Sequence, residues 1–310
     1  MPRHRTITPG RARRWSRLLS RWLLSLAITL GAPLYLAGEL SSSAYTASSP
    51  LSVLARLHER PSPLRWPAAH RGDPAYGQEN SIPAIRGAAQ TGVPLIEVDV
   101  RRNADGTLFL FHDRYLDNEK VIGPRELIGR DVESLHDHEL RLVQYPGSTA
   151  AHMATYIEAL EAIKPYRTAL QLDIRGEWLA VIDQAVRIAR DQGQAHQILI
   201  QCQWLSTLAS VRERYPDIAV LARSHSIADV RLAYRKLPDI IQIDEDWISP
   251  EMVQEIHAAG SKILVKSLYA MDTTEHWDRL FHAGIDIVLT DKAVQMVRHL
   301  GAPQRLNGTP

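Results

Sequence analysis

Short apolar runs alternate with longer amphipathic segments from Trp66 onward, and this alternation constrains the fold more than any other feature. Short apolar runs are typical of buried strands, and segments with apolar residues at helical spacing are typical of helices that cover a sheet. Eight runs are predicted strands: 66–70, 95–100, 169–174, 198–202, 219–222, 240–244, 262–266 and 286–290. With a closing helix at 292–300, the pattern predicts an α/β fold, a (β/α)₈ TIM barrel over residues 66–303. A doubly wound open sheet is the alternative, because strand counts do not show closure.

A ninth apolar run, residues 107–111, follows the second predicted strand after Asn103-Ala104-Asp105-Gly106. Asp-Gly between two extended runs is a hairpin signal. We therefore predict that this run is an excursion on top of the barrel.

The first 38 residues have a charge pattern typical of membrane targeting. Seven arginines precede the first acidic residue, Glu39, and residues 22–38 then form 17 positions without a charge. This length is at the lower end of a membrane-spanning helix, about 17–25 residues, and exceeds most signal-peptide cores. We predict a basic segment and an uncleaved membrane anchor, with the barrel on the extracytoplasmic (periplasmic) side because the arginines stay in the cytoplasm. Secretion after signal cleavage is the alternative. Residues 39–65, rich in Ser and Pro, are a predicted linker with a short helix near 51–59.

Composition excludes several kinds of site. The single cysteine, Cys202, excludes an internal disulfide and a thiolate zinc site, and its apolar surroundings predict a buried, inert thiol. The net charge is +1, and no basic stripe with interleaved aromatic residues follows the amino-terminal arginines. Nucleic acid is therefore not an expected partner.

Glu97 and Asp99 lie two residues apart in the second predicted strand. The alternation of side chains places both on one face, which in a barrel points inward. Two inward carboxylates are costly unless a cation or hydrogen-bond donors compensate them. Oxygen ligands suit a hard ion, so the pair predicts one divalent cation, Ca²⁺ or Mg²⁺. An acidic outer face of an edge strand is the alternative.

Two histidines end apolar runs near these carboxylates. His70 ends the first predicted strand and is followed by Arg71, while His112 follows the ninth run and precedes Asp113. Catalytic groups of barrels collect at the carboxyl ends of the strands. The two histidines are therefore candidates for an acid and base pair around a metal site.

An ordered set of motifs runs from His70 to Asp113. Its members are His70-Arg71-Gly72, Glu79-Asn80-Ser81, Gly87-Ala88, Glu97-Val98-Asp99, Asp105-Gly106 and His112-Asp113. In order and spacing the set resembles the signature of the glycerophosphodiester phosphodiesterase family. A weaker resemblance continues to residues 284–291, which are similar to the closing strand of that family, so the resemblance covers roughly residues 66–300.

The resemblance implies a metal-dependent phosphodiesterase that hydrolyses glycerophosphodiesters, small or lipid-derived, to an alcohol and glycerol phosphate. It implies that Glu97 and Asp99 hold the cation and that Glu79 lies beside it, as a ligand or as a partner of the ligands. His70 and His112 would be the catalytic acid and base. Arg71 would hold a phosphate oxygen, for which its planar fork is suited.

Three positions depart from the family pattern. The family usually supplies a third carboxylate as Glu in an E-x-K strand, whereas this chain has Asp173 and Arg175. Asp173 is still expected to bind the metal, with a shorter reach, and Arg175 to contact phosphate or substrate. Lys266 stands where the family has a W-T-x-N segment, and it is a candidate phosphate or substrate contact or else an exposed structural lysine.

These departures leave two other functions open. One is a phospholipase D-like lyase acting on a lysophospholipid or sphingolipid, to which an aspartate as third acid is suited. The other is a catalytically retired, membrane-tethered binding barrel.

Overall fold

The structure is a computed structural model that describes residues 52–59, 61–146, 152–176, 178–236 and 238–301. Its nine strands are β1 (Trp66–Ala69), β2 (Leu95–Arg102), β3 (Leu108–Leu110), β4 (Ala169–Ile174), β5 (Ile198–Cys202), β6 (Ala219–Arg223), β7 (Ile240–Gln242), β8 (Lys262–Ser267) and β9 (Ile287–Thr290). All except β3 pair in parallel, and β1 pairs with both β2 and β9. The sheet therefore closes into the predicted eight-stranded parallel barrel, and the open-sheet alternative is wrong.

Helices connect successive barrel strands, as the amphipathic segments predict. The α-helices are α1 (Val53–His58), α2 (Ile82–Gln90), α3 (Asp137–Leu140), α4 (Tyr156–Ile163), α5 (Trp178–Asp191), α6 (Leu205–Arg214), α7 (Ile227–Ala233), α8 (Pro250–Ala258), α9 (Thr274–His282) and α10 (Ala293–His299). Several begin at a hydroxyl cap. Ser81 caps α2, and Thr155 and Glu158 form a capping box on α4.

The two faces of β2 enter different hydrophobic clusters. Ile96, Val98 and Val100 pack outward with the surrounding helices. Leu95 packs inward, in a cluster with residues of the other barrel strands, among them Ala169 and Leu199. Because side chains alternate along a strand, Glu97 and Asp99 share the inward face with Leu95, as the sequence predicts.

Helix α1 closes the amino-terminal end of the barrel. Val53 and Leu57 are buried in the same cluster as Leu95, Leu199 and Leu264. Helix α1 is therefore packed against the barrel, so this part of the predicted linker (residues 39–65) is not a tether.

The ninth apolar run forms the predicted hairpin. Strand β3 pairs antiparallel with β2, with Val100 opposite Leu110. The segment that follows packs with β3 in a small hydrophobic cluster, which includes Phe109, Leu116 and Tyr145. We refer to residues 108–146 and 152–153 as the insertion, which begins with β3 beside the carboxyl end of β2.

Some predicted boundaries differ from the observed ones at polar residues. Strand β1 ends at Ala69 rather than at His70, and β7 ends at Gln242 rather than at Asp244. No helix in the described part of the chain is long and apolar enough to cross a bilayer. The predicted anchor or signal, residues 1–38, lies outside the described residues.

Candidate metal and catalytic site

Three carboxylates from two neighbouring strands meet inside the barrel mouth. Glu97 and Asp99 lie on β2 and Asp173 lies on β4, where the strand register pairs Asp99 directly with Asp173. All three residues are buried, and each offers an oxygen within 4.8 Å of the others. This is the only such acidic or histidine group among the described residues.

The carboxylate group fits a hard divalent cation, because all its donors are oxygen atoms. Burial, together with the charges of Asp99 and Asp173, raises the pKa of Glu97 well above its usual value. A bound cation would replace the proton of Glu97 and compensate the negative charge of the three buried carboxylates.

Asp99 is the best-partnered member of the group. Arg175 Nη2 lies 2.8 Å from its Oδ1, and Arg71 Nε lies 3.1 Å from its Oδ2. Asn80 Nδ2 donates to Oδ2 at 2.9 Å. Burial alone would raise the pKa of Asp99, but the charges of Arg175 and Arg71 outweigh it and lower that pKa.

Asp173 is held by two side chains. Arg175 Nη2 lies 2.7 Å from Oδ2, and Gln203 Nε2 donates to Oδ1 at 2.6 Å. Burial raises the pKa of Asp173, and Arg175 opposes the rise. Arg175, a predicted phosphate contact, therefore bridges two carboxylates in this structure.

Arg71 adopts a backbone conformation that links the first strand to the site. Its φ is 57°, in the left-handed region, and its backbone N–H donates to Glu97 Oε2 at 3.0 Å. The next residue, Gly72, has a φ of 91°, and an added Cβ would lie 2.7 Å from the Cβ of Ala84. The His-Arg-Gly motif thus needs glycine at its third position, so that α2 can approach the strand end.

Glu79 lies beside Arg71 and outside the three-carboxylate group. Its Oε2 accepts a hydrogen bond from Arg71 Nη1 at 2.7 Å, and its Oε1 lies 3.6 Å from Lys120 Nζ. Of the two predicted roles, the structure therefore favours a partner that orients Arg71 over a metal ligand.

Each predicted catalytic histidine is paired with a carboxylate. His70 Nδ1 lies 2.8 Å from Asp291 Oδ1, and His112 Nδ1 lies 2.6 Å from Asp113 Oδ1. A carboxylate only accepts hydrogen bonds, so Nδ1 carries the proton and Nε2 is the nitrogen that can exchange a proton with a substrate. Lys120 Nζ extends the second pair, at 2.6 Å from Asp113 Oδ2.

Lys266 lies on β8, where the charges of Glu97, Asp173 and Asp99 act on it. Burial lowers its pKa, and the charge of Glu97 is the largest influence that opposes this. Lys266 is half-buried in the strand. The alternative of an exposed structural lysine is wrong.

A cleft of about 690 Å³ opens next to these residues. His70, Arg71 and Asp291 line one part of it, and Glu79, Lys120 and Tyr145 line another. The cleft can admit a small phosphodiester to the histidine and arginine side chains.

Sequence reasoning missed the residues that orient the predicted ones. Asn80, Asp113 and Asp291 belong to motifs or strand ends that the sequence singles out, so their positions carried a signal. Gln203 follows the predicted strand 198–202, so its place at a strand end was also a signal. Lys120 carried none, because its role depends on contacts with distant segments. Cys202 is buried as predicted, and burial raises the pKa of its thiol to about 12.

Comparison with known proteins gives a consistent result. Residues 70–295 match the Glycerophosphoryl diester phosphodiesterase family. A glycerophosphodiester phosphodiesterase of Caldanaerobacter subterraneus subsp. tengcongensis is 22% identical over 228 residues, which cover 72% of this chain and 92% of the relative.

Two solved structures share the fold. A phosphodiesterase of Oleispira antarctica, in complex with the product sn-glycerol-3-phosphate, has a TM-score of 0.64 and 23% identity, covering 76% of this chain and 96% of that one. A glycerophosphoryl diester phosphodiesterase of Parabacteroides distasonis has a TM-score of 0.66 and 18% identity, and the match covers 80% of this chain and 90% of that one.

Proposed function

Because this chain belongs to the glycerophosphoryl diester phosphodiesterase family, we propose that it is a cation-dependent hydrolase that cleaves glycerophosphodiesters to an alcohol and glycerol phosphate. The observation that carries the proposal is the joint position of three buried carboxylates and two carboxylate-paired histidines at one barrel mouth. This set supplies an oxygen-ligand site and two proton carriers, which phosphodiester cleavage requires.

In the proposed reaction one histidine takes a proton from the attacking water, whose oxygen forms a new P–O bond. The other histidine gives a proton to the leaving alcohol oxygen as its P–O bond breaks. Asp291 and Asp113 hold the two rings in the tautomer that leaves Nε2 for this exchange. Either histidine can serve as the base while the other serves as the acid, because both have Nδ1 paired with a carboxylate.

Arg71 is proposed to bind a phosphoryl oxygen. Its Nη1 donates to Glu79 Oε2, and its Nε lies 3.1 Å from Asp99 Oδ2 in an ion pair, so carboxylates on two sides hold the guanidinium in place. Hydrogen-bond donors that are already in place can stabilise the negative charge that develops on the phosphoryl oxygens, because they need not move during the reaction. Glu97, Asp99 and Asp173 are the proposed ligands of a Ca²⁺ or Mg²⁺ ion, which when bound would neutralise charge on the phosphoryl oxygens. Arg175 and Lys266 are proposed to contact substrate once the cation is in place.

A substrate panel tests the proposal. The full chain is assayed with glycerophosphocholine, glycerophosphoethanolamine and lysophospholipids, each with Ca²⁺, Mg²⁺ and a chelator. Cation-dependent release of glycerol phosphate supports the proposal. A stable cyclic phosphate in the phosphorus NMR spectrum would instead support the lyase. Absence of cleavage in every arm would support the retired barrel.

We also propose that residues 22–38 anchor the chain in a membrane, with the barrel on the extracytoplasmic side. The support is the sequence alone, seven arginines followed by 17 uncharged residues. Membrane fractionation and amino-terminal sequencing of the mature protein test it. Recovery of a soluble chain that begins after residue 38 would favour cleavage of a signal.

A further inference from the structure

Asp272 is a buried carboxylate that the proposed reaction does not use. It lies between β8 and α9 and is 1% exposed. Its Oδ1 accepts hydrogen bonds from Trp277 Nε1 at 2.7 Å and from Thr290 Oγ1 at 2.6 Å, and its Oδ2 accepts one from the Asp291 backbone N–H at 3.0 Å. Burial raises the pKa of Asp272, and these three hydrogen bonds oppose the rise. A buried carboxylate is costly even when it is partnered, so its presence here needs an explanation.

Two of these three donors belong to the residues that hold His70. The His70 backbone N–H donates to the Thr290 carbonyl at 3.0 Å, and His70 Nδ1 donates to Asp291 Oδ1 at 2.8 Å. Thr290 is the last residue of β9 and Asp291 follows it. Asp272 therefore binds both of the residues that bind His70.

The Asp291 side chain is not fixed by burial, because 34% of it is exposed. Among the described residues, its carboxylate has His70 as its only hydrogen-bond partner. The position of this carboxylate therefore depends on the backbone that carries it. Asp272 binds that backbone at Asp291, and the Asp272 carbonyl accepts a hydrogen bond from Lys292 Nζ at 2.7 Å. With the bond from the Thr290 hydroxyl, Asp272 holds the residue before Asp291, Asp291 itself and the residue after it.

We propose that Asp272 is a positioning residue, which fixes the Asp291 carboxylate and, through it, the imidazole of His70. This inference rests on the proposed function, in which His70 carries a proton. The Asp291 carboxylate keeps the proton of the imidazole on Nδ1 and leaves Nε2 to face the substrate. A small displacement of a reacting group is enough to slow a reaction. Because Asp272 is buried, it acts through Asp291 and not by contact with the substrate.

Asp272→Asn tests the proposal, because it keeps the shape of the side chain and replaces one acceptor oxygen by an amide that donates. Whichever way the amide turns, it faces at least one group that also donates. Asp286→Asn is the matched control, since Asp286 is fully buried and lies at the amino-terminal end of β9. It also accepts three hydrogen bonds, from the backbone N–H groups of Leu64 and Ile263 and from His257 Nε2.

We expect Asp272→Asn to lower kcat for glycerophosphocholine about tenfold at the wild-type KM, whereas Asp286→Asn changes neither value. In the His70→Gln background the loss caused by Asp272→Asn should disappear, because Asp272 acts through that imidazole. Thermal unfolding shows which variants are folded at the assay temperature. Equal kcat values for the two asparagine variants, or a loss that persists in the His70→Gln background, would overturn the proposal.

Thr290→Val replaces Asp272→Asn if the latter does not fold. It removes one hydroxyl donor to Asp272 and keeps the branched shape, so kcat should fall about threefold at the wild-type KM. An unchanged kcat in the folded Thr290→Val protein would then overturn the proposal.

A spectroscopic measurement separates failure of this proposal from failure of the proposed function. In protein that contains isotope-labelled histidine, the Nδ1–H signal of His70 is identified by its absence in His70→Gln. Exchange of this proton with water should be about tenfold faster in Asp272→Asn than in the wild type and in Asp286→Asn. If the wild type cleaves no diester but shows this difference, the proposed function is wrong and the positioning role stands. The same exchange rate in all three proteins would overturn the positioning role.

Discussion

Asn80 and Asp99 exchange two hydrogen bonds inside the barrel mouth. The Asn80 amide donates to Asp99 Oδ2 at 2.9 Å, and the Asp99 backbone N–H donates to Asn80 Oδ1 at 3.0 Å. Both residues are fully buried, and Asn80 has a φ of 59°, which asparagine tolerates better than most residues. This pair fixes the carboxylate on the strand and joins the Glu-Asn-Ser motif to the candidate metal site.

Asn80→Ala should therefore weaken both the fold and the site. The change leaves the Asp99 N–H without its partner, so we expect the free energy of unfolding to fall by about 1–3 kcal/mol. Urea unfolding measures this, and calorimetry should show weaker cation binding. Asn118→Ala, at an exposed asparagine of the insertion, is the control and should change neither value. Unchanged cation binding in Asn80→Ala would contradict the role assigned here.

His70→Gln and His112→Gln should each lower kcat about 10²–10⁴-fold, because each removes one proton carrier. Circular dichroism should show an unchanged fold. His136→Gln is a matched control, since His136 Nδ1 is also paired with a carboxylate, Asp105 Oδ1 at 2.8 Å, but His136 lies at the exposed start of α3, away from the three carboxylates. Near-normal turnover in the His70 or the His112 variant would show that the assignment is wrong.

Arg175→Lys should strengthen cation binding. The Arg175 guanidinium donates to Asp99 Oδ1 and Asp173 Oδ2, two oxygens that a cation would use. Lysine keeps the charge but lacks the fork that reaches both carboxylates. The cation-free protein would lose one charge-assisted hydrogen bond, which destabilises it by about 1.4 kcal/mol. Because the cation-bound protein does not use that bond, the cation should bind about tenfold more tightly. Calorimetry with Mg²⁺ and Ca²⁺ measures it, with Arg190→Lys in the exposed pair to Asp217 as control. Weaker binding in Arg175→Lys would instead mean that Arg175 supports the cation site.

Cation affinity should fall as the pH falls toward 4.5. The pKa of Glu97 is raised above that value by burial and by Asp99 and Asp173, so just above pH 4.5 the folded apoprotein keeps a proton there that the cation must displace. The raised pKa of Glu97 also makes the free energy of unfolding depend on pH. The protonated side chain contributes its full stabilisation below pH 4.5, the pKa of the unfolded chain, and this stabilisation is lost as the pH rises through the pKa of the folded protein. Calorimetry in buffers of different ionisation enthalpy should detect proton release on cation binding, and binding without proton release would refute the prediction.

Leu57→Ala should lower the free energy of unfolding by about 2–5 kcal/mol, because it opens a cavity under the barrel. Leu57 is 0% exposed, whereas Leu54 on the same helix is only partly buried. Leu54→Ala should therefore lower the free energy of unfolding by less. Turnover of the folded fraction should be unchanged, since α1 lies at the end opposite the site. Equal, small effects of both changes would mean that α1 contributes little to the domain.

Local periodicity was enough to predict much of this protein. The spacing of apolar runs predicted the barrel, and the two-residue period of β2 placed Glu97 and Asp99 on its inner face. The Asp-Gly turn predicted the hairpin of β3. These features depend on neighbouring residues, so the sequence determined them by itself.

Only the tertiary structure decided which distant side chains meet. The register of β2 and β4 places Asp173 beside Asp99, and packing of the insertion brings Tyr145 and Lys120 to Glu79. Packing of α1 converts the end of a predicted linker into part of the core. The sequence could not determine these contacts, because they depend on strand register and on burial between segments far apart in the chain, and side-chain periodicity carries no information about either.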